Sequence, residues 1–206
     1  EFRGVDLGDD LVDTGVDLSY ELAEGLSLSG GAWYASWDAG GADDELDLYI
    51  GLTQTLGSFD VSVGYTYYFF PGDSDANTDE VYLGLATELD CGLGLALTYF
   101  EDLDQFSGGY LELEASKSFT LSECVGLDLA AGAAWCDDYE LNADVDGANM
   151  DGFNHWYITA ALPIALKEDV TLTPYIKYVD ASGDLDSSLV DAGAESEDHF
   201  YAGVSL

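Results

Sequence analysis

Basic side chains are nearly missing from this chain: Lys and Arg number 4 of 206 residues against 42 Asp and Glu, for a formal net charge of −38. Nucleic-acid binding needs a Lys/Arg cluster that displaces counterions from phosphate, and Arg3, Lys117, Lys167 and Lys177 are too few to build one. An anionic membrane surface is excluded as a partner on the same ground. No run approaches the 18 or more apolar residues of a transmembrane helix, and no basic segment leading into an apolar one opens the chain. The sequence starts at Glu1 without a methionine, which fits a processed or trimmed N-terminus. Cys91, Cys124 and Cys136 show no C-x-x-C spacing and have too few histidines near them for a zinc site. His155 and His199, the two histidines, lack a nucleophile in a glycine-flanked elbow, and no G-x-S-x-G, Walker or dinucleotide fingerprint occurs. The expectation is a protein that is not an enzyme.

What the chain does contain is apolar: 48% hydrophobic residues, with 14 Tyr, 9 Phe, 4 Trp and 24 Gly. A disordered acidic chain is poor in these, so this one folds. Its length suits one domain over residues 1–206. The decisive pattern is strict alternation. Val16, Leu18, Tyr20 and Leu22 alternate with Asp17, Ser19 and Glu21; Leu46, Leu48, Ile50 and Leu52 with Asp47, Tyr49 and Gly51; Phe200, Ala202 and Val204 with Tyr201, Gly203 and Ser205.

Such runs predict about twelve strands, near residues 1–7, 14–23, 26–37, 45–56, 58–70, 80–90, 93–100, 109–121, 125–136, 153–166, 170–179 and 198–206. Short turns at Glu24-Gly25, Gly57, Cys91-Gly92, 122–124 and 167–169 alternate with longer polar loops. An even strand number with short turns at one end and long acidic loops at the other predicts an all-β fold: a single antiparallel up-and-down β-barrel of outer-membrane type, both termini on the short-turn side. A soluble sandwich or lipocalin-like barrel would also alternate. Here, however, the small and charged positions form the would-be interior, which cannot make a hydrophobic core, whereas the Leu/Val/Ile/aromatic face is continuous. That inversion favours lipid outside and water inside. Trp33, Tyr34, Trp37, Tyr67, Phe69, Phe70, Tyr99, Phe100, Trp135, Trp156 and Tyr178, near strand ends, would form the interfacial girdle.

Charge maps onto this topology unevenly. The expected long loops, residues 8–13, 38–45, 71–80, 101–109, 137–152 and 180–198, hold 27 of the 42 carboxylates and no Lys or Arg. Loops so charged repel one another unless bridged, and Ca²⁺ is the natural bridge because it takes several carboxylate and carbonyl oxygens. Asn142, Asp144, Asp146, Asn149 and Asp151 match the first half of an EF-hand loop, but its twelfth position is Phe153 instead of Glu. Asp73, Asp75, Asn77 and Asp79 form a second oxygen-rich set; a solvated acidic loop is the competing reading for both. The interior set is Asp17, Glu21, Asp47, Asp60, Glu88, Glu112, Glu114 and Asp128, opposed by Lys177 and in second place Arg3. Eight carboxylates cannot be buried unpaired. A hydrated, electronegative lumen accommodates them, as would a plugging network in a narrow barrel. Cys91 and Cys124, on short turns about three strands apart, are at the limit of a disulfide; Cys136 is left over, a candidate for an intermolecular bond that reads better as an inert buried thiol.

Glu1-Phe2-Arg3-Gly4-Val5, an acidic stretch and Gly15-Val16-Asp17-Leu18-Ser19-Tyr20 resemble the opening of the TorF-type porin family of Gram-negative outer membranes, and the pattern extends to Tyr201-Ala202-Gly203-Val204-Ser205-Leu206. The resemblance implies an outer-membrane barrel. Two functions follow from the residues. One is a passive porin-like channel with a cation-favouring lumen. The other is a structural protomer of a surface layer or extracellular filament, polymerised through acidic loops and divalent cations, its apolar strand faces buried against neighbouring barrels instead of outer-membrane lipid.

Overall fold

The computed structural model describes Arg3 and residues 9–39, 44–105, 107–140, 149–181 and 198–206. Twelve strands form one antiparallel up-and-down sheet with a barrel architecture: β1 (Asp9–Ala23), β2 (Leu26–Ala39), β3 (Glu45–Leu56), β4 (Phe59–Phe69), β5 (Thr78–Glu88), β6 (Gly94–Asp102), β7 (Gly108–Thr120), β8 (Gly126–Glu140), β9 (Asn149–Ala161), β10 (Ile164–Lys167), β11 (Val170–Ala181) and β12 (His199–Ser205). Each pairs with its sequence neighbour from β1 to β9; β9 then pairs with β11, which also carries β10 and β12. The short connections are tight because glycine supplies the left-handed backbone they need, at Gly25 (φ 69°) and Gly57 (φ 68°).

The twelve strands arise differently from the sequence expectation. The strand expected at residues 1–7 lies outside the described residues except for Arg3, which sits in a turn. The expected strand 153–166 divides into β9 and β10 at Leu162-Pro163, because Pro163 has no N–H to donate to a ladder. The carbonyl of Pro163 still accepts from Gly126 N at 2.9 Å, and Leu162 N donates to Pro174 O at 2.9 Å, so the wall continues through the break. The expected loop 8–13 is wrong from Asp9 onward: β1 starts there, with Asp9 opposite Ala39 at the long-loop end. The N-terminal strand therefore begins at that end and not on the short-turn side, while β12 ends on the short-turn side as expected. Other expected loops are shorter too. Asp79, Glu80, Glu101, Asp102, Asp137 and Asp180 belong to strands, their low β-propensity overridden by continuation of the ladder.

Register fixes which residues share a face. Asp47 lies opposite Trp33 and Tyr68, Tyr68 opposite Thr78, Glu80 opposite Asp102, and Phe100 opposite Tyr110. This row faces inward, since Arg3 packs over Phe100 and Tyr110. The other face is apolar and uncovered: Leu18 is 71% exposed, Ile50 54%, Leu83 54% and Phe200 67%. Such a wall is far larger than the apolar patch of a soluble monomer.

The interior is narrower than a count of small residues suggests. Tyrosine rings lie flat over inward glycines on adjacent strands, Tyr82 over Gly64 and Tyr157 over Gly132. A Cβ at Gly132 would fall inside contact distance of the Tyr157 ring. Gly132→Val should therefore lose about 1–3 kcal/mol in urea unfolding of detergent-folded protein by overpacking. Gly57→Asn should change little, because Asn tolerates the left-handed conformation and nothing lies within 4 Å of that position.

Candidate functional site in the barrel lumen

The buried residues gather at the long-loop half of the interior. Arg3, Thr78, Glu80, Asp102, Tyr110, Cys136, Tyr139, Asn154, His155 and Val179 are all at most 9% exposed. Arg3 is the hub. Its guanidinium pairs with Glu80, from the inward row of β5, and lies over three rings, with Cζ 4.5 Å from the centroid of Tyr110, 4.8 Å from Tyr139 and 5.4 Å from Phe100. Tyr68 Oη also donates to Glu80, at 3.4 Å. A buried carboxylate is costly without partners, and here Glu80 has both a cation and a hydroxyl. Asp102 accepts from Thr78 Oγ1 at 2.7 Å and from the backbone amides of Asp104 and Ser107 at 3.0 and 3.2 Å, so it fixes the turn between β6 and β7.

Below this layer lies a cavity of about 390 Å³ lined by Arg3, Glu112, Glu114, Tyr157 and Lys177 among others. Glu112 and Glu114 are successive inward positions of β7. Tyr157 Oη lies 3.1 Å from Glu112 Oε1 and 2.7 Å from Glu114 Oε2, so its single proton serves both carboxylates. Tyr110 Oη donates to the other oxygen of Glu112 at 3.1 Å. Lys177, from β11, holds its ammonium 4.6 Å from the centroid of Tyr157. His155 Nδ1 lies 2.9 Å from Asn154 Oδ1, and Asn154 Nδ2 donates to Cys136 Sγ at 3.0 Å, which gives a buried polar thread behind the aromatic rings.

Register places all nine expected lumen residues on the inward face. Asp17 lies opposite Gly31, Glu21 opposite Ser27, Asp60 opposite Thr55, Glu88 opposite Gly94 and Asp128 opposite Ser118 and Ala161. Asp47, Glu112, Glu114 and Lys177 complete the set. The structure separates them by depth. Glu112, Glu114 and Lys177 line the cavity. Asp17, Glu21, Asp60 and Glu88 are solvent-exposed toward the short turns, where Tyr49 Oη donates to Asp17 and Thr55 Oγ1 to Asp60 at 2.6 Å.

Glu80, Asp102 and Glu45 were expected among solvated loop carboxylates and are instead buried. Their inward direction was legible, because Glu80 is in phase with Tyr82, and Asp102 with Phe100; their burial was not. Trp33 and Phe100 leave the expected girdle for the same reason: both point inward, Trp33 Nε1 donating to Asp13 Oδ2 at 3.0 Å. Outside the strands, Asp44 accepts from Tyr34 Oη at 2.7 Å, and that bond holds its carboxyl below the usual carboxylate range.

Of the expected metal ligands, Asn142, Asp144 and Asp146 lie outside the described residues, as does the side chain of Asn149. Asp151 is exposed on β9. Asp73 caps a single 3-10 turn at Ser74–Ala76 by accepting from Asp75 N at 3.1 Å, and Asn77 accepts from Phe70 N at 2.8 Å. Asp79 sits on the outer face opposite Tyr67. Among the described residues no three His, Cys, Asp or Glu side chains are arranged to hold a metal ion. Cys91 and Cys124 are exposed free thiols, with no disulfide between them.

This architecture is similar to that of the NanC porin, solved in a rhombohedral crystal form. The match covers 95% of this chain and 93% of that one at 14% identity with a TM-score of 0.56, and shows a shared fold. No curated protein sequence matches the chain. A family model described as a bacterial protein of unknown function (Gcw_chp) matches residues 1–199. The chain belongs to this Gcw_chp family, and its fold is a porin-like β-barrel.

Proposed function

We propose that the protein is an outer-membrane channel of a Gram-negative bacterium that passes small solutes passively and favours cations. The observation that carries this reading is the division of the wall into an uncovered apolar outer face and an inner face on which the eight carboxylates from Asp17 to Asp128, joined by Glu45, Glu80 and Asp102, stand against Lys177 and Arg3. In lipid an apolar outer wall is stable. The inner carboxylates Asp17, Glu21, Asp60 and Glu88 meanwhile stay hydrated.

The size of the electrostatic effect follows from Coulomb's law. A monovalent cation about 5 Å from one carboxylate gains roughly 0.8 kcal/mol in bulk water, a factor of about four in local concentration, and more where the wall lowers the dielectric. Glu112 and Glu114 are adjacent inward positions at the cavity, so their fields add. Screening over about 8 Å at physiological salt weakens the effect at high ionic strength. The Arg3 layer on the long-loop side makes the conducting path narrow, which suits ions and small solutes.

Planar-bilayer recording tests the reading. A salt gradient should give a reversal potential of cation-selective sign, and the double variant Glu112→Gln, Glu114→Gln should lower the cation-to-anion permeability ratio several-fold at low salt, with little change at high salt. Anion selectivity, or no conductance from correctly folded barrels, would sink it. The lipid-facing assignment has its own check. Ile50→Lys, on the outer face midway along β3, should cost about 2–4 kcal/mol in urea unfolding from phospholipid vesicles, and Thr53→Lys on the inner face distinctly less.

A further inference from the structure

The contacts of Arg3 divide the interior into a receptor and a tethered ligand. The receptor walls come from separate strands, Glu80 from β5, Phe100 from β6, Tyr110 from β7 and Tyr139 from β8, and each strand is held by its ladder whether or not Arg3 is present. Two of the surrounding hydroxyls have carboxylate acceptors: Tyr110 Oη donates to Glu112 and Tyr68 Oη to Glu80. Arg3 belongs to no strand and reaches this place from a turn with φ 49°. The surroundings suit a guanidinium better than an ammonium. Its flat, weakly hydrated face can lie against rings while its edge meets a carboxylate, whereas a compact ammonium loses its hydration on entering. Three ring centroids within 5.4 Å and the Glu80 carboxylate supply both kinds of contact.

We infer that the cage of Glu80, Phe100, Tyr110 and Tyr139 is a recognition site for guanidinium-type cations, and that Arg3 fills it from within the chain as a plug for the long-loop half of the lumen. Arg3 also lines the 390 Å³ cavity that holds Glu112, Glu114 and Lys177. Withdrawing its side chain therefore enlarges that cavity toward the long loops and exposes a preformed cation site. Binding at the cage stands independently of transport; the plugging role rests on the channel reading above.

The test is chemical rescue of Arg3→Ala in the full chain, folded in detergent and then placed in bilayers. Millimolar guanidinium chloride should raise the thermal midpoint of Arg3→Ala with saturation, as a ligand that binds only the folded state does. Ammonium chloride at equal ionic strength should not, and the wild type, with its cage filled, should respond to neither. In bilayers Arg3→Ala should conduct several-fold better than wild type, and guanidinium should block the added current. If Arg3→Ala does not fold, Arg3→Gln, similar in bulk and uncharged, carries the same measurements. Equal response to guanidinium and ammonium, or no response in either variant, overturns the cage. Saturating stabilisation by guanidinium without conductance in any form keeps the cage and removes the channel. Wild-type conductance unchanged in a guanidinium-stabilised variant removes the plug.

Discussion

A sheet that curves round on itself sends every second side chain inward, and this one sends carboxylates there. Everything else in the molecule answers the question of how that charge is accommodated. Toward the short turns the answer is water: Asp17, Glu21, Asp60 and Glu88 stay exposed beside serine, glycine and threonine. Toward the long loops the rings of Phe100, Tyr110 and Tyr139 take up the space, and hydration gives way to pairing. Arg3 meets Glu80, and the backbone of the following turn meets Asp102. The same carboxylate series is thus solvated at one end and neutralised at the other, with Glu112 and Glu114 at the boundary. Because a buried unpaired carboxylate costs several kcal/mol, the position of this boundary is set by where a cation can be delivered.

Much of the fold was legible because one face of each strand had to be apolar over its full length. Leu46 to Leu52 and Leu93 to Tyr99 leave no other phase, and a slip of one residue would exchange the two faces. The inward assignment of Asp17, Glu112 and Lys177 follows from that phase alone. Strand ends were not legible for a related reason. Where a strand leaves the apolar belt, both faces become polar, and Asp79-Glu80 or Glu101-Asp102 reads as loop although the ladder continues through it. The sequence also could not show that Glu80 is buried, because that depends on Arg3 being 77 residues from it in the chain and in contact with it in space, nor that Asp102 is, because that depends on Thr78 and the turn amides that meet it. Pro163 was the opposite case, a local signal outweighed by a long apolar run.

Small inward residues left the width of the lumen open between a hydrated channel and a plugged narrow barrel. The registered partners narrow it, since a glycine on one strand is the seat of a tyrosine ring on the next, as at Gly132 and Tyr157. Two facts that each suggest space, glycine inside and aromatics plentiful, combine to fill it. Pore width is therefore a property of pairs across the ladder, and composition along a single strand does not report it.

The scarcity of basic residues has the same explanation as the abundance of tyrosine. A carboxylate in a partly dry interior needs a hydrogen-bond donor, and Lys or Arg would supply one at the cost of cancelling the field. A phenol donates without adding charge. Among the described residues four tyrosines do this on the inner face, Tyr49 to Asp17, Tyr68 to Glu80, Tyr110 to Glu112, and Tyr157 to Glu112 and Glu114, while Tyr34, Tyr99 and Tyr178 donate to Asp44, Glu101 and Asp198 outside the lumen. Hydrogen bonds to a charged partner contribute roughly 1.5–3 kcal/mol each, which is of the order needed to hold a half-buried carboxylate in place. With that task given to phenols, a full positive charge is spent where the interior is driest, at Arg3. Replacing the tyrosine donors by lysines would satisfy the same carboxylates and leave the lumen near neutrality. The inner carboxylates thus keep their negative field within a folded interior because the phenols that bond them are neutral donors.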